Sequence, residues 1–327
     1  MALSCDQTVE VLRAAGEPTR LRILALLVRE ELAVLELARI LGQSQPRVSR
    51  HLRLLAEAGL VERFPDGAWV FYRPAGAGPA RALSDHVLAA VSPADPTLAR
   101  DAERLGGVST ERAGEAAAYF ADNAERWDEI RSLYTSEAAV EAAILEAAGV
   151  GPFARLVDLG SGTGRLLTLL GGRARSAVGL DLSRQMLNIA RGRVASAGLG
   201  VCERRHGDIL GTGLCAGEAD LVVVHQVLHY LGEPAAAVAE AARLTGPGGR
   251  LLIVDFAPHD LEFLRAEHRH RRLGFSDEEI ARWLAAAGLG AVATTTLPPA
   301  GPGGLTVKIW SAERAAERLG ERSRRFA

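Results

Sequence analysis

The stretch Leu156–Arg165, LVDLGSGTGR, decides the fold of the larger part of this chain. An apolar run typical of a buried strand passes into glycines at 160, 162 and 164, and positions without a Cβ let backbone amides approach a ligand closely. A dinucleotide site is indicated by G-x-G-x-x-G, whereas the spacing here is G-x-G-x-G. The pattern therefore favours a strand-to-helix loop that binds a nucleotide cofactor of another kind.

Two acidic residues follow the glycines at the ends of later apolar runs. SAVGLDLS ends in Asp181, 17 positions after Gly164 (181 minus 164), and HGDIL contains Asp208. We expect the first carboxylate to accept hydrogen bonds from two ribose hydroxyls and the second to accept one from an adenine amino group. The strand, the glycine loop and the two acids, in this order, resemble the class I S-adenosylmethionine-dependent methyltransferases over roughly residues 113–312.

That resemblance implies an α/β fold, a Rossmann-like class I methyltransferase domain with a mostly parallel seven-stranded sheet, and S-adenosyl-L-methionine as cofactor. It continues through DLVVVHQVLHYL (220–231) and RLTGPGGRLLIVDF (243–256), which predict a buried strand, a helix, a turn and another strand. The cofactor-binding residues that it carries over are Asp158, Gly160, Ser161, Gly162, Gly164, Asp181, Leu182, Asp208, Ile209 and His225.

The residues on the methyl-acceptor side are less well indicated. Methyl transfer needs mainly an in-line arrangement, and a base is needed only for a weakly acidic acceptor. His225 and His259 are the candidate catalytic residues, and His229 and Tyr230 are further candidates for the acceptor side. The histidine-rich segment 255–275 also contains four arginines that would repel a cation, so we predict no metal site and expect a salt-bridged helix there.

Length and composition limit the class of protein. A chain of 327 residues suits two domains, and 48% hydrophobic with 24% charged residues is typical of a soluble globular protein. The net charge of -2 gives no overall attraction to nucleic acid, so any basic surface must be local. The three cysteines indicate neither a disulfide framework nor a zinc knuckle. With no signal peptide or membrane span indicated, we expect a cytoplasmic protein.

The segment between residues 73 and 107 is rich in proline and glycine, which indicates a domain boundary. It also holds one short predicted helix, over residues 80–91. We therefore predict a winged helix-turn-helix domain over 1–92, a linker over 93–112, the methyltransferase domain over 113–312 and a charged tail over 313–327.

The first domain contains a helix pair with a basic second helix. ELAVLELARILG predicts a short helix, and in the next one, QSQPRVSRHLRLLAEAGLV, Ser44 suits the N-cap and Pro46 the first turn. Val48, Leu52 and Leu55 repeat toward a core. The other face carries donors for base edges and phosphates, and these predicted DNA contacts are Gln45, Arg47, Ser49, Arg50 and Arg53.

The following segment, LVERFPDGAWVFYRP, predicts a hairpin that turns at Pro65, Asp66 and Gly67. The helix pair and this wing resemble the ArsR/SmtB family of winged-helix repressors over residues 1 to about 92, and VSRHLRLLAEAGLV is the most specific match. The resemblance implies a homodimer that binds a pseudo-palindromic operator in double-stranded DNA.

The chain departs from the metal-sensing members of that family. Where those members carry two cysteines, this chain has Ala33 and Leu35, neither of which offers a ligand to a soft metal. On the last helix Asp85 and His86 are adjacent, so they face different sides and do not chelate together. We therefore expect a regulator whose signal is not a thiophilic metal.

Three functions remain open at this point. The first is a DNA-binding transcriptional regulator whose S-adenosylmethionine-binding domain also methylates a small molecule. The second is a non-catalytic sensor of S-adenosylmethionine or S-adenosylhomocysteine that controls transcription. The third is a small-molecule methyltransferase whose winged helix serves dimerisation. The arginines of the second helix argue against the third, because burying them at a dimer interface would cost desolvation energy.

Overall fold

A computed structural model describes residues 2–66, 69–76, 78–92, 94–132, 136–200, 202–299, 301 and 303–316. The chain divides into two compact units, Met1–Glu115 and Ala116–Ala327. Within the described residues no helix is both long enough and apolar enough to cross a membrane.

The first unit is a winged helix-turn-helix, as the sequence predicts. Its elements are α1 (Cys5–Ala15), α2 (Pro18–Leu27), β1 (Leu32–Ala33), α3 (Val34–Leu41), α4 (Gln45–Glu57), β2 (Val61–Asp66), β3 (Trp69–Pro74), α5 (Pro79–Ala89) and the first part of α6 (Pro96–Asn123). The strands form an antiparallel sheet in the order β1-β3-β2. Part of the predicted hairpin turn, residue 67, lies outside the described residues.

The helix-turn-helix forms because its apolar positions share one face. Val48, Leu52 and Leu55 of α4 are all fully buried, as their spacing predicts. Gly42 ends α3 in the left-handed conformation, at φ +66°, which a residue without a Cβ adopts without strain. Ser44 is the N-cap residue of α4 and a proline lies in the first turn, where no intrahelical hydrogen bond is lost.

The segment that we predicted as a linker, 93–112, is mostly helical. α6 begins there at Pro96, and Asp95 caps it by accepting hydrogen bonds from the backbone N–H groups of Thr97 (2.9 Å) and Leu98 (3.0 Å). The proline therefore occupies the first position of a helix, where its missing N–H costs no intrahelical hydrogen bond.

The first part of α6 is attached to the winged domain by ion pairs. Asp101 is buried and binds Arg22 through two hydrogen bonds of 2.5 and 2.7 Å. Arg112 binds Glu30 at 2.7 Å and Glu36 at 2.6 Å. These contacts hold residues 101–112 to the rest of the first unit.

The second unit contains a seven-stranded sheet. Its elements after α6 are α7 (Trp127–Ser132), α8 (Glu137–Ala148), β4 (Phe153–Leu159), α9 (Arg165–Leu170), β5 (Ala174–Asp181), α10 (Arg184–Ser196), β6 (Cys202–His206), β7 (Ala219–His225), α11 (Pro234–Leu244), β8 (Thr245–Phe256), α12 (Phe263–His268), α13 (Asp277–Ala286), β9 (Val292–Leu297) and β10 (Val307–Glu313).

The strand order is β6-β5-β4-β7-β8-β10-β9, and β10 pairs antiparallel with both of its neighbours while the other pairs are parallel. The prediction of a mostly parallel seven-stranded sheet is confirmed. The β4 strand lies between β5 and β7 and pairs parallel with both, so the carboxyl ends of these three strands meet at one edge, where open α/β sheets bind ligands.

Two apolar cores cover the two faces of this sheet. Val157 and Leu159 of β4 pack into one core with α11 and α13, and Leu156 packs into the other with α8, α9 and α10. Alternate residues of a strand point to opposite faces, and both faces are covered here, which explains the nearly continuous apolar runs. Of the predicted charged tail, residues 317–327 lie outside the described residues.

Candidate functional site

The glycine loop follows β4 as a tight turn that only glycine fits. Gly160, Gly162 and Gly164 all have positive φ, at +73°, +50° and +78°. A Cβ on Gly160 would lie 2.4 Å from Cγ2 of Val227, and one on Gly164 would lie 2.8 Å from Cβ of Ala190. Both distances are shorter than any normal contact between carbon atoms, so these positions exclude larger residues.

Asp181 closes the loop from the end of β5. One carboxylate oxygen accepts a hydrogen bond from the Gly162 N–H (2.8 Å) and the other from the Ser183 N–H (2.7 Å). Burial raises the pKa of this carboxyl group, and the two backbone donors oppose that effect. Each carboxylate oxygen has capacity for a further hydrogen bond, so the group can still accept from a ligand.

Two other predicted residues lie in β4 and in the loop itself. Asp158 is buried in β4, in register with Gly179 of β5 and Val223 of β7. The Oγ atom of Ser161 is buried and has no hydrogen-bond partner among the described residues. A buried hydroxyl that lacks a partner beside three glycines without side chains suits a polar ligand that approaches the backbone closely.

The adenine-side candidates lie at the neighbouring strand ends. Leu182 is 56% exposed directly after β5, whereas Ile209 is buried. Asp208 follows β6, and one of its carboxylate oxygens accepts a hydrogen bond from the Leu210 N–H at 2.9 Å. The backbone N–H of Gly207 donates to the Asp181 carbonyl oxygen at 3.1 Å, which joins the ends of β5 and β6.

Helix α7 contacts the glycine loop, a contact that the sequence did not indicate. A Cβ on Gly162 would lie 3.7 Å from Nε1 of Trp127. Asp128 accepts hydrogen bonds from the Thr163 hydroxyl (3.0 Å) and from Arg193 (2.5 Å). No spacing rule connects α7 to the loop, because Asp128 and Thr163 are 35 residues apart in the chain.

A small pocket with a cavity volume of about 30 Å³, partly open to solvent, lies beside the loop. Gln226 lines it directly after β7, and its φ of +52° is unusual for a residue other than glycine. Trp127 belongs to both the loop contact and the pocket. The lining is aromatic, aliphatic and imidazole, and consists of Trp127, Ile130, Gln226, His229, Tyr230, Phe256, Leu264, His268, His270 and Leu305.

The histidine in the wall of this pocket is paired with a buried acid. Nδ1 of His229 lies 2.8 Å from a carboxylate oxygen of Asp255, and both residues are buried. The same oxygen accepts a hydrogen bond from the Phe256 N–H at 2.8 Å. On the other side of the ring, Nε2 of His229 is buried and has no hydrogen-bond partner among the described residues.

The rings around His229 are closely packed. The imidazole of His270 is 4.2 Å away and the ring of Tyr230 is 4.1 Å away, measured between centroids. Burial, followed by the nearby His229, lowers the pKa of His270 well below its usual value. Burial also raises the pKa of Tyr230 well above its usual value. Both effects favour neutral side chains in the pocket.

Neither predicted catalytic histidine is among the residues described as lining this pocket. His225 ends β7, in register with Val254, and Nδ1 of His259 accepts a hydrogen bond from the Leu261 N–H at 3.3 Å. Their catalytic roles stay predictions. The helix expected across 255–275 is restricted to α12, six residues long, and the chain beyond it brings His270 into the pocket. Among the described residues, no group of three or more His, Cys, Asp or Glu side chains is placed to hold a metal ion.

Helix α4 of the first unit presents the predicted DNA contacts. Gln45, Arg47, Arg50 and Arg53 are exposed and Ser49 is half-buried. Arg53 lies 3.9 Å from Glu57, a distance at which an exposed pair contributes little. The donors therefore face solvent, on the side of α4 opposite its buried residues.

Comparison with known proteins finds a family match within each of the two units. The family model for bacterial regulatory proteins of the arsR family matches residues 17–63, and the model for methyltransferase domains matches residues 157–253. An uncharacterized HTH-type transcriptional regulator of Methanocaldococcus jannaschii is 38% identical over 68 residues, which are 20% of this chain and 76% of that protein.

Two further relatives match this chain over only part of their own length. An uncharacterized methyltransferase of Mycobacterium tuberculosis is 37% identical over 102 residues, which are 31% of this chain and 39% of that protein. An uncharacterized 37.1 kDa protein from a Streptomyces fradiae transposon is 35% identical over 155 residues, or 42% of this chain and 43% of that protein. The chain thus spans less than half of the length of these two relatives.

Proposed function

We propose that this chain is a transcriptional regulator that binds S-adenosyl-L-methionine and methylates a small molecule. Through its N-terminal domain it belongs to the ArsR family of bacterial regulatory proteins, and it joins that domain to a methyltransferase domain. The observation that carries the methyltransferase half is the adjacency of the two parts of the site. Trp127 contacts the glycine loop and also lines the pocket, and Val227, which packs against Gly160, follows the pocket residue Gln226.

The residues of the loop fit the cofactor. Backbone groups at Gly160 and Gly162, together with Asp158 and the buried Ser161 hydroxyl, would hold its methionine part. Asp181 would accept the ribose hydroxyls, and Asp208, with Leu182 and Ile209 beside it, would hold the adenine. When bound, S-adenosylmethionine supplies an electrophilic methyl group and leaves as S-adenosylhomocysteine after transfer. The chain's own contribution is to orient the two partners and to keep water out of the pocket.

The winged domain supports DNA as the partner of the first unit. Arg47, Arg50 and Arg53 project from α4 with Gln45 and Ser49, and such donors suit phosphates and base edges in the major groove. We propose that a homodimer places two copies of α4 on a pseudo-palindromic operator. Occupancy of the cofactor loop would then bias DNA affinity, and by linkage DNA would bias cofactor affinity by the same factor.

Calorimetric titration with S-adenosylmethionine tests the cofactor site. We expect the Asp181→Ala variant to lose measurable binding, because the variant lacks the acceptor for the ribose and leaves the Gly162 N–H without its partner. Asp260→Ala, which removes an exposed carboxylate from the same unit, is the matched control and should bind normally. Full affinity in Asp181→Ala would show that the ribose lies elsewhere.

Fluorescence anisotropy with a labelled duplex tests the DNA site. In a variant carrying both Arg50→Ala and Arg53→Ala, we expect weaker binding and a salt dependence whose slope falls by about one for each lost phosphate contact. Arg191→Ala removes an exposed arginine of α10 and serves as control. Unchanged binding in the double variant would remove α4 from the DNA contact. A protein that binds cofactor and DNA but transfers no methyl group would be the non-catalytic sensor.

A further inference from the structure

We infer that His229 is the catalytic base of the acceptor pocket, and that this pocket takes a neutral, planar aromatic compound with a hydroxyl group. The inference rests on the proposed function, because the hydroxyl oxygen would be the methyl acceptor. It names a residue and a substrate class that neither the glycine loop nor the family matches identify.

The orientation of His229 is fixed by Asp255. The carboxylate oxygen 2.8 Å from Nδ1 also accepts the Phe256 N–H, so it is held as an acceptor and the imidazole carries its proton on Nδ1. Nε2 then has a free lone pair. That atom is buried in the wall of the pocket without a hydrogen-bond partner among the described residues, and a ligand hydroxyl is the group that would satisfy it.

A purely structural role explains less of this arrangement. The loop around residues 271 and 272 is already held by the main chain of His229, whose carbonyl oxygen accepts from the backbone N–H groups of Arg271 (2.8 Å) and Arg272 (3.0 Å). These bonds need no imidazole.

The lining of the pocket indicates the kind of acceptor. Among the described lining residues there is no Asp, Glu, Lys or Arg, so a carboxylate or ammonium group of an acceptor would find no opposite charge. Trp127, Tyr230 and Phe256 offer ring faces and edges, and Leu264 and Leu305 add aliphatic surface. Aromatic side chains pack planar ligands by offset or edge-to-face contacts. A phenol-type compound matches both properties.

The step assigned to His229 is a proton transfer. The O–H bond of the acceptor breaks, the proton forms an N–H bond at Nε2, and the electron pair stays on the oxygen, which becomes the nucleophile. The imidazolium that forms is stabilised by Asp255 through Nδ1. His270 stays neutral because its pKa is lowered, so it adds no second positive charge beside His229.

The probe para-nitrophenol tests this step without methyl transfer, because its visible absorbance reports ionisation of its hydroxyl. We would titrate it into the full chain below the pKa of the free phenol. Binding to a base should lower the apparent pKa of the bound probe by about one unit or more, a tenfold change in the ratio of phenolate to phenol. In His229→Asn the probe should bind but stay protonated, and Asp255→Asn should reduce the ionised fraction. His86→Ala, at an exposed histidine of α5, should match the wild type.

Three results would overturn the inference, and the first two do not require the variants to fold. Bound but un-ionised para-nitrophenol in the wild-type protein would remove His229 as a base, and failure to bind the probe would remove the aromatic acceptor class. An equal ionised fraction in a folded His229→Asn protein would assign the base elsewhere. A calorimetric titration with S-adenosylmethionine on the same preparation distinguishes failure of this inference from failure of the proposed function, because cofactor binding does not depend on Nε2 of His229.

Discussion

The glycine loop and the acceptor pocket meet at Trp127, yet they are built in opposite ways. The loop comes from one continuous stretch after β4, and its partner Asp181 ends the next strand of the chain. The pocket draws on α7, on the turn after β7, on the end of β8, on the chain after α12 and on Leu305. A site made of neighbours in the chain is specified by local spacing, whereas a site made of distant segments is specified only by the packing that brings them together.

The largest effect is expected in the loop. Gly160→Ala places a Cβ 2.4 Å from Val227 at a φ of +73°, and strain and overpacking together should cost about 2–6 kcal/mol. We expect cofactor binding to be lost in calorimetry. Gly192→Ala, in α10 with open space around it, is the control and should be neutral or slightly stabilising. Wild-type affinity in Gly160→Ala would show that the close approach to Val227 is not needed for the loop conformation.

A buried pair in the pocket should affect stability without affecting the loop. Asp255→Ala leaves Nδ1 of His229 buried and without its acceptor, and we expect a loss of about 1–3 kcal/mol in the free energy of unfolding, measured with urea. Cofactor affinity should stay within twofold of the wild type, in contrast to Asp181→Ala. If both variants lost cofactor binding to the same degree, loop and pocket would be one unit and the distinction between them would be wrong.

Trp127 is the residue by which the two regions can be coupled. Its ring lies edge-on to Phe120 at 5.2 Å between centroids and lines the pocket. For Trp127→Leu we expect the affinity for para-nitrophenol to fall by about 2- to 10-fold, as for one lost aromatic pair of about 0.5–1.5 kcal/mol. Trp69→Leu, on the wing, is the control. An unchanged probe affinity would place the acceptor outside the aromatic wall.

The smallest effect concerns the segment after Asp208. Glu240 holds this segment by accepting hydrogen bonds from the N–H (3.1 Å) and hydroxyl (2.6 Å) of Thr212. Hydrogen bonding from Arg243 lowers the pKa of Glu240 from 4.5 to about 2. A lowered pKa stabilises the folded state above pH 4.5, and this stability is lost as pH falls toward 2. In Glu240→Gln, urea midpoints should change less over that range, and identical pH profiles would rule out Glu240 as the acid-sensitive group.

The sequence predicted the fold and the glycine loop after β4 well because their signals are local. The three loop glycines and the apolar positions of α4 each lie within one short stretch, and Asp181 lies 17 positions after Gly164 (181 minus 164). Within the predicted linker, Pro96 follows the capping residue Asp95, a pair that starts a helix as readily as it marks a loop.

The sequence indicates only part of the pocket: it points to His229 and Tyr230 but not to the other rings in the wall. A content of 5% aromatic residues gives no sign of an aromatic wall, since it is the concentration of these few rings in one place that matters. Likewise, no spacing rule pairs His229 with Asp255, because 26 residues and a helix separate them. Only the parallel pairing of β7 with β8 brings the two together.

The most direct test of a cofactor-responsive regulator is fluorescence anisotropy of the full chain on a labelled duplex from upstream of its own coding sequence. The titration is done at fixed salt, without ligand and with saturating S-adenosylmethionine or S-adenosylhomocysteine, since phosphate contacts make affinity salt-dependent. We expect specific binding whose affinity shifts by about tenfold, or about 1.4 kcal/mol of coupling, when either ligand is present. Binding that neither ligand changes, or no binding at all, would contradict the proposal that one chain joins DNA recognition to a cofactor site.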